Sequence, residues 1–181
     1  HGNLYGSKGT RNCALLTVAP TGTTAMVQGV TTGIEPMFAP LYIRRRFVDG
    51  EKVGSKYTEE TLVISKDFSD HMGYAEGAYD VTPEGHFQVQ ALVQKYVDNA
   101  VSKTINIPRG YGEHSLSELW LQYLPQVKGS TFYREGSRAN EPLQYVPTKD
   151  ALEVLQNWKG NVENEDGTTS IDSCINGLCE I

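Results

Sequence analysis

Long apolar runs are the first thing this sequence lacks. The longest are short ones such as ALL and ALV, far below the roughly 20 residues that a membrane-spanning helix needs. Cysteine is scarce as well: three in 181 residues. That is too few for a disulfide framework and makes a reducing, cytoplasmic setting the default. Positive charge is in the minority, with 16 Lys and Arg against 22 Asp and Glu and a net charge of -6. A basic footprint for nucleic acid is therefore absent, and the one local run, IRRRF (Arg44, Arg45, Arg46), reads as a solvated strand end. There is no signal-peptide pattern, no internal repeat and no initiator Met. The chain starts His1-Gly2, and we read it as a piece of something longer, or as a processed or split product.

What is present is enough apolar residue, 39%, for the core of one ordinary domain. CALLTVA (13–19) reads as a buried strand ended by Pro20, with Cys13 as a small buried hydrophobe. PTGTT is a turn, and AMVQGV begins a helix that Gly29 and Gly33 break. MFAPLYIRRRFV (37–48) reads as a strand made irregular by Pro40. The polar stretch 50–85 is expected to be loop-rich, with one short helix at TEETLVIS (58–65).

The clearest expected helix is HFQVQALVQKYVDNAVSK (86–103). Val89, Val93, Val97 and Val101 fall at i, i+4 spacing, beside a ridge of Leu92, Tyr96 and Ala100. Pro83 and Gly85 stand before it as a start signal. KTINIP alternates like a strand. SLSELWLQYL reads as a helix opened by a capping box of Ser115 and Glu118. KGSTFY is a third strand, REGSRANEP a loop, and TKDALEVLQNW a last helix from Thr148. Strands alternating with helices predict an α/β fold. We divide the chain into a folded part, 1–159, and a flexible tail, 160–181, whose polar start cannot offset its own ordering entropy.

Two stretches can carry chemistry. In APTGTT a strand turns through a glycine into a helix, which gathers backbone N–H groups suited to an anion such as phosphate; Thr21, Thr23 and Thr24 add hydroxyls. The Gly-Lys-Ser/Thr ending of a Walker A loop is absent, and an ordinary strand-turn-helix connection explains the same letters. The tail carries Cys174 and Cys179 as CxxxxC. The spacing is too wide for a thioredoxin-like CxxC, and no second pair or nearby His completes a zinc site. The pair is either incidental or redox-active, and exposed thiols kept together favour the second. The polar run of 14 residues before Cys174 spans roughly 20 Å as a coil and about 48 Å stretched, so it can carry thiols between two places.

These stretches add up to a resemblance. TVAPTGTT, TTGIEPMFAP, QKYVDNAVSKTINIP, KGSTFYREGSR and a terminal CxxxxC, in that order, resemble the C-terminal part of the ribonucleotide reductase large subunit. The match runs along nearly the whole chain and is poorest at 45–85 and on the approach to the tail. The resemblance implies the last portion of a ten-stranded α/β barrel built from two half-barrels. It implies that Pro20, Thr21, Gly22, Thr23 and Thr24 bind the substrate's phosphates. It implies that Cys174 and Cys179 re-reduce an active-site disulfide and are themselves reduced by thioredoxin or a glutaredoxin-like protein. GIEP (Gly33 to Pro36) matches a family motif near that loop and is given no catalytic role. No metal ligands are assigned.

Within the family, the two-subunit oxygen-dependent enzymes relay a radical through two adjacent tyrosines. Here Phe132 stands where the first would sit, and a phenylalanine has no O–H to lose. The resemblance is therefore closest to the adenosylcobalamin-dependent (class II) enzymes, with the cofactor bound mostly outside this chain. The family's radical cysteine and active-site cysteine pair lie upstream of the PTGTT loop, and Cys13 is no substitute. The chain alone is expected to be inactive and to need that upstream region, in the same polypeptide or a separate one. The alternative function is a non-catalytic phosphate-binding accessory module of a split enzyme.

Overall fold

The computed structural model describes residues 12, 14–46, 59–65, 76–137, 141 and 143–164. Cys13, Cys174, Cys179 and the tail from 165 onward lie outside the described residues.

The strand expected around Pro40 forms as Leu41–Arg46 (β1). It pairs antiparallel with Glu59–Ile64 (β2) on one side and Leu143–Val146 (β5) on the other. Asn161–Asn164 (β6) adds parallel to the far side of β2, giving the order β5-β1-β2-β6. Pleating sends alternate residues to opposite faces. Leu41 sits between Ile64 and Val146 in register, and these three form one core with Leu62. The helix Ala151–Asn157 (α4), entered through a 3-10 turn at Thr148–Asp150, closes that face with Ala151 and Leu155. On the other face Tyr42 joins Phe38, and Phe38 meets Tyr79 and Tyr145 edge-on, at centroid distances of 5.7 to 6.4 Å.

A second unit is a parallel strand-helix-strand crossover. Thr104–Ile107 (β3) leads through Glu113–Tyr123 (α3) to Thr131–Arg134 (β4), with Ile105 opposite Phe132. Its core is Phe87, Ile105, Leu119 and Tyr123. Phe87 comes from the helix Pro83–Gln94 (α2) and stacks on Tyr123 at 5.2 Å. Trp120 stacks on Phe132 at 4.3 Å. The α/β class expected from the sequence is what forms. Among the described residues the strands form no closed barrel.

Several local expectations are corrected. TEETLVIS is not a helix: Leu62, Val63 and Ile64 are buried on both faces as a central strand, where β-branched side chains pack well. The long helix starts earlier and stops sooner than 86–103. Thr82 caps it by accepting from Gly85 N at 3.1 Å, with Pro83 in the first turn. Beyond Gln94 the chain turns, and the Gln94 amide holds the carbonyls of Val97 and Asn99 at 2.9 and 2.7 Å. Its buried face is His86, Phe87 and Gln90, while Val89 and Leu92 of the expected stripe are exposed.

The capping box at Ser115 does not form, because α3 already begins at Glu113 with Gly112 as its uncapped N-cap. The strand expected at 13–19 reduces to one parallel bridge, Val18 to Val101. Leu15 and Leu16 are more than half exposed, their backbone N–H groups both held by the Asp98 carboxylate at 2.7 Å. β6 occupies the first residues of what composition assigns to the tail. It is fixed there because Glu163 takes Arg44 as a close ion-pair partner and Arg46 at 3.7 Å. Arg45 pairs with Glu60 at 2.8 Å and with Gln144, so Arg44, Arg45 and Arg46 form a strand end whose charges meet acidic neighbours. Among the described residues no helix is long and apolar enough to cross a membrane.

Candidate functional site

The PTGTT loop leaves the Val18 bridge and turns sharply into a short helix, Gly22–Gln28 (α1). The turn is made by Thr21, whose φ is 54°. A β-branched residue in the left-handed region is an outlier that costs about 1–3 kcal/mol and persists only where its surroundings hold it. Two contacts do so. Its carbonyl accepts from Ala25 N at 2.9 Å, and its hydroxyl accepts from Gly33 N at 3.3 Å. Thr21, Gly22, Thr23 and Thr24 are all exposed. The first N–H groups of any helix have no partner within it. The backbone at Gly22 faces open space: a Cβ there would meet nothing within 4 Å. The sequence-predicted loop residues are thus contiguous, exposed and presented at a helix start. Of the expected thiol pair the described residues contain neither member.

The turn that holds Thr21 is the GIEP segment. Gly33 has a φ of 52°, and a Cβ there would lie 3.3 Å from Ala19 O, so glycine lets this turn pack flat on the strand before the loop. Two residues on, the Glu35 carboxylate spans the head of β3. Oε1 accepts from Thr104 N at 2.6 Å and Oε2 from the Lys103 ammonium at 2.5 Å.

Lys103 is buried. Its other two donors go to His86 Nδ1 at 2.9 Å and Thr104 O at 2.7 Å. Since Lys103 donates to Nδ1, His86 carries its proton on Nε2, which donates to Ala78 O at 2.8 Å. Burial holds the Lys103 pKa below its ordinary value, against the pull of Glu35. Burial, and then the Lys103 charge, hold His86 below its own.

The sequence reading singled out GIEP without a role and missed Lys103 and His86. The available signal was a lysine at the head of an apolar strand, where a charge needs a partner.

The site of the KGSTFYREGSR motif is β4. Phe132 is packed between Trp120 and Phe87. Tyr133 donates its hydroxyl to Glu141 at 3.3 Å. Among the described residues no group of three His, Cys, Asp or Glu is placed to hold a metal ion.

A family model described as the barrel domain of ribonucleotide reductase matches residues 4–129. A vitamin B12-dependent ribonucleoside-diphosphate reductase of Mycobacterium tuberculosis is 31% identical, over 78% of this chain and 23% of its own length. A protein of Mycobacterium phage D29 named as a possible adenosylcobalamin-dependent ribonucleoside-triphosphate reductase is 30% identical, over 91% of this chain and 28% of its own. The alpha subunit of a ribonucleoside-diphosphate reductase from Chlamydia muridarum is 24% identical over 76% of this chain. A crystal structure of a B12-dependent (class II) ribonucleotide reductase superposes with a TM-score of 0.54 at 20% identity, covering 91% of this chain and 24% of that one. The chain therefore spans about a quarter of the B12-dependent relatives it matches. On the match across residues 4–129, the chain belongs to the ribonucleotide reductase barrel-domain family.

Proposed function

We propose that this chain is the C-terminal segment of an adenosylcobalamin-dependent ribonucleotide reductase, an oxidoreductase that converts ribonucleotides to 2'-deoxyribonucleotides. The observation that carries the reading is the family match joined to one local feature: a strained, exposed Thr21 turn at the start of α1, inside the matched region. The loop Pro20, Thr21, Gly22, Thr23 and Thr24 takes the substrate's phosphates, through the backbone N–H groups of residues 21 to 24 and the threonine hydroxyls, with Pro20 shaping the turn. Cys174 and Cys179 exchange with the active-site disulfide formed at each turnover and leave as a disulfide that thioredoxin or a glutaredoxin-like protein reduces. The radical and active-site cysteines come from the region upstream. The exposed Leu15 and Leu16 beside the Val18 bridge are apolar surface for that region to cover.

Adenosylcobalamin supplies the radical when it is bound, by opening its cobalt–carbon bond. Phe132 fits an enzyme of that kind, since its ring packs against Trp120 and Phe87 as core and offers no hydroxyl for a relay. Tyr133, tied to Glu141, acts as a structural tyrosine. No residue here is assigned to hold the corrinoid.

The test is reconstitution. This chain is combined with the upstream reductase region, adenosylcobalamin, thioredoxin, its reductase and a ribonucleotide. Deoxyribonucleotide should form only with both polypeptide regions and the cobalamin. Serine at positions 174 and 179 should collapse turnover with thioredoxin, and a small dithiol should partly restore it. Equal activity of that variant with either reductant would remove the thiol shuttle. Product with a di-iron partner subunit instead of cobalamin would overturn the class.

A further inference from the structure

We propose that Glu35 and Lys103 are positioning residues for the substrate-phosphate loop: the ion pair of the half-buried Glu35 with the buried Lys103 at the head of β3 fixes the turn that holds Thr21 in its strained conformation. The inference rests on the phosphate-loop reading above and adds residues to it.

Thr21 cannot hold its φ of 54° alone. Ala25 N holds its carbonyl from within α1, and its hydroxyl is tied to Gly33 N, so the fixing of the loop from outside the helix passes through Gly33. Gly33 is in turn set by its neighbours in the turn. Glu35 N donates to Thr32 O at 2.8 Å, which closes the turn over Gly33. The Glu35 carboxylate then anchors that turn to β3 through Thr104 N and Lys103. The anchor is rigid because Lys103 has no freedom left: its three donors are taken by Glu35, His86 and Thr104, and His86 is held from behind by Ala78 O. For the same reason Lys103 is not itself a phosphate ligand, since a buried ammonium with every donor occupied has nothing to offer an anion. The pair supplies pre-organisation. A loop that is binding-competent only part of the time loses apparent affinity by that fraction.

The test uses the assembled enzyme that contains this chain. Glu35→Gln combined with Lys103→Met removes both charges together, so the buried ammonium is not left unpaired. The KM for the ribonucleotide should rise about tenfold while kcat stays within about threefold, the signature of lost ground-state binding. Inorganic pyrophosphate, used as a competitor, should lose inhibition by the same factor. An unchanged KM and pyrophosphate inhibition in the folded variant overturns the proposal. So does a fall in kcat with KM intact, which would mark a role in chemistry or in folding alone.

If the double variant does not fold, Glu35→Asp keeps the charge and draws the carboxylate back by one methylene. It should fold and show an intermediate KM, and a wild-type KM there also sinks the idea. Thr23→Val with Thr24→Val separates the two levels. If it leaves pyrophosphate inhibition unchanged, the loop does not bind phosphate, and the reading and the inference fall together. If it weakens inhibition while the Glu35 variants do not, only the inference fails.

Discussion

The Lys103 ammonium stands 2.9 Å from Nδ1 of His86, and both side chains are buried. A cation cannot share this contact with an imidazolium, so His86 is neutral in the folded chain. Ala78 O on the other nitrogen partly favours the charged ring, and Glu35 does so weakly, but burial and Lys103 outweigh both. The folded pKa of His86 is therefore depressed, and the unfolded chain binds the proton first as pH falls. Stability rises with pH wherever the unfolded state holds more protons. Its share from His86 is fully present above the unfolded value of about 6.5 and is lost as pH drops from there toward the folded pKa. Thermal midpoints between pH 7.5 and 5 should fall for the wild type. His86→Gln keeps a donor and an acceptor but does not titrate, so its midpoints should fall less steeply. Parallel slopes would remove His86 as the cause.

The two faces of α2 should respond unequally to truncation. Phe87 is buried, stacked on Tyr123 and edge-on to Phe132. Phe87→Ala removes those contacts and leaves a cavity, at a cost of about 3–5 kcal/mol. Leu92 is 61% exposed, and Leu92→Ala should change stability by about 0.5 kcal/mol or less. Urea unfolding of both variants decides the matter, and a large loss at Leu92 would mean that its side chain is packed and not exposed.

That contrast shows where the sequence was legible. The valine spacing 89, 93, 97 and 101 promised one apolar stripe. The buried face instead mixes Phe87 with Gln90, whose amide donates to Val101 O at 3.1 Å and Gly129 O at 2.7 Å and accepts from Ser130 at 3.0 Å. A polar residue that finds all its partners is invisible to a hydrophobic pattern, because its partners lie up to 40 residues away. TEETLVIS failed for a related reason. A short apolar run reads as helix or strand equally well, and only pairing with β1 and β6 decides it. The PTGTT loop was legible because a proline, a glycine and three threonines are local instructions. The Glu35, Lys103 and His86 cluster was not, since those residues lie 17 and 68 positions apart.

Asp80 ties the segment before α2 to β5 and to the turn that follows it, through one carboxylate. It accepts from Gly77 N at 2.8 Å, from Tyr145 at 2.5 Å and from Thr148 at 2.6 Å. A side chain at Gly77 would be crowded, with its Cβ 3.0 Å from the Ala39 backbone and 3.1 Å from Phe38 O. Asp80→Ala strands three donors at once, one of them on the half-buried Tyr145 at the edge of the aromatic cluster. The loss should be about 1–3 kcal/mol. Tyr145→Phe removes a single donor and should cost less than Asp80→Ala. Equal losses would mean that the Tyr145 contact alone matters.

Thr21→Gly separates strain from function at the loop. Glycine adopts a φ near 54° without penalty, which favours the folded variant. The same change deletes the hydroxyl that Gly33 N reaches, worth about 0.5–1.5 kcal/mol. The two effects nearly cancel, so the thermal midpoint should move by only a few degrees in either direction. Substrate binding should not cancel in this way. The loop loses both a hydroxyl and the tie that fixes its shape, and a glycine there is free to visit other conformations. KM should rise about tenfold or more while the melting curve stays close to the wild type. A variant with unchanged KM would show that Thr21 is strained for packing reasons only, and would move the phosphate contacts to Thr23 and Thr24.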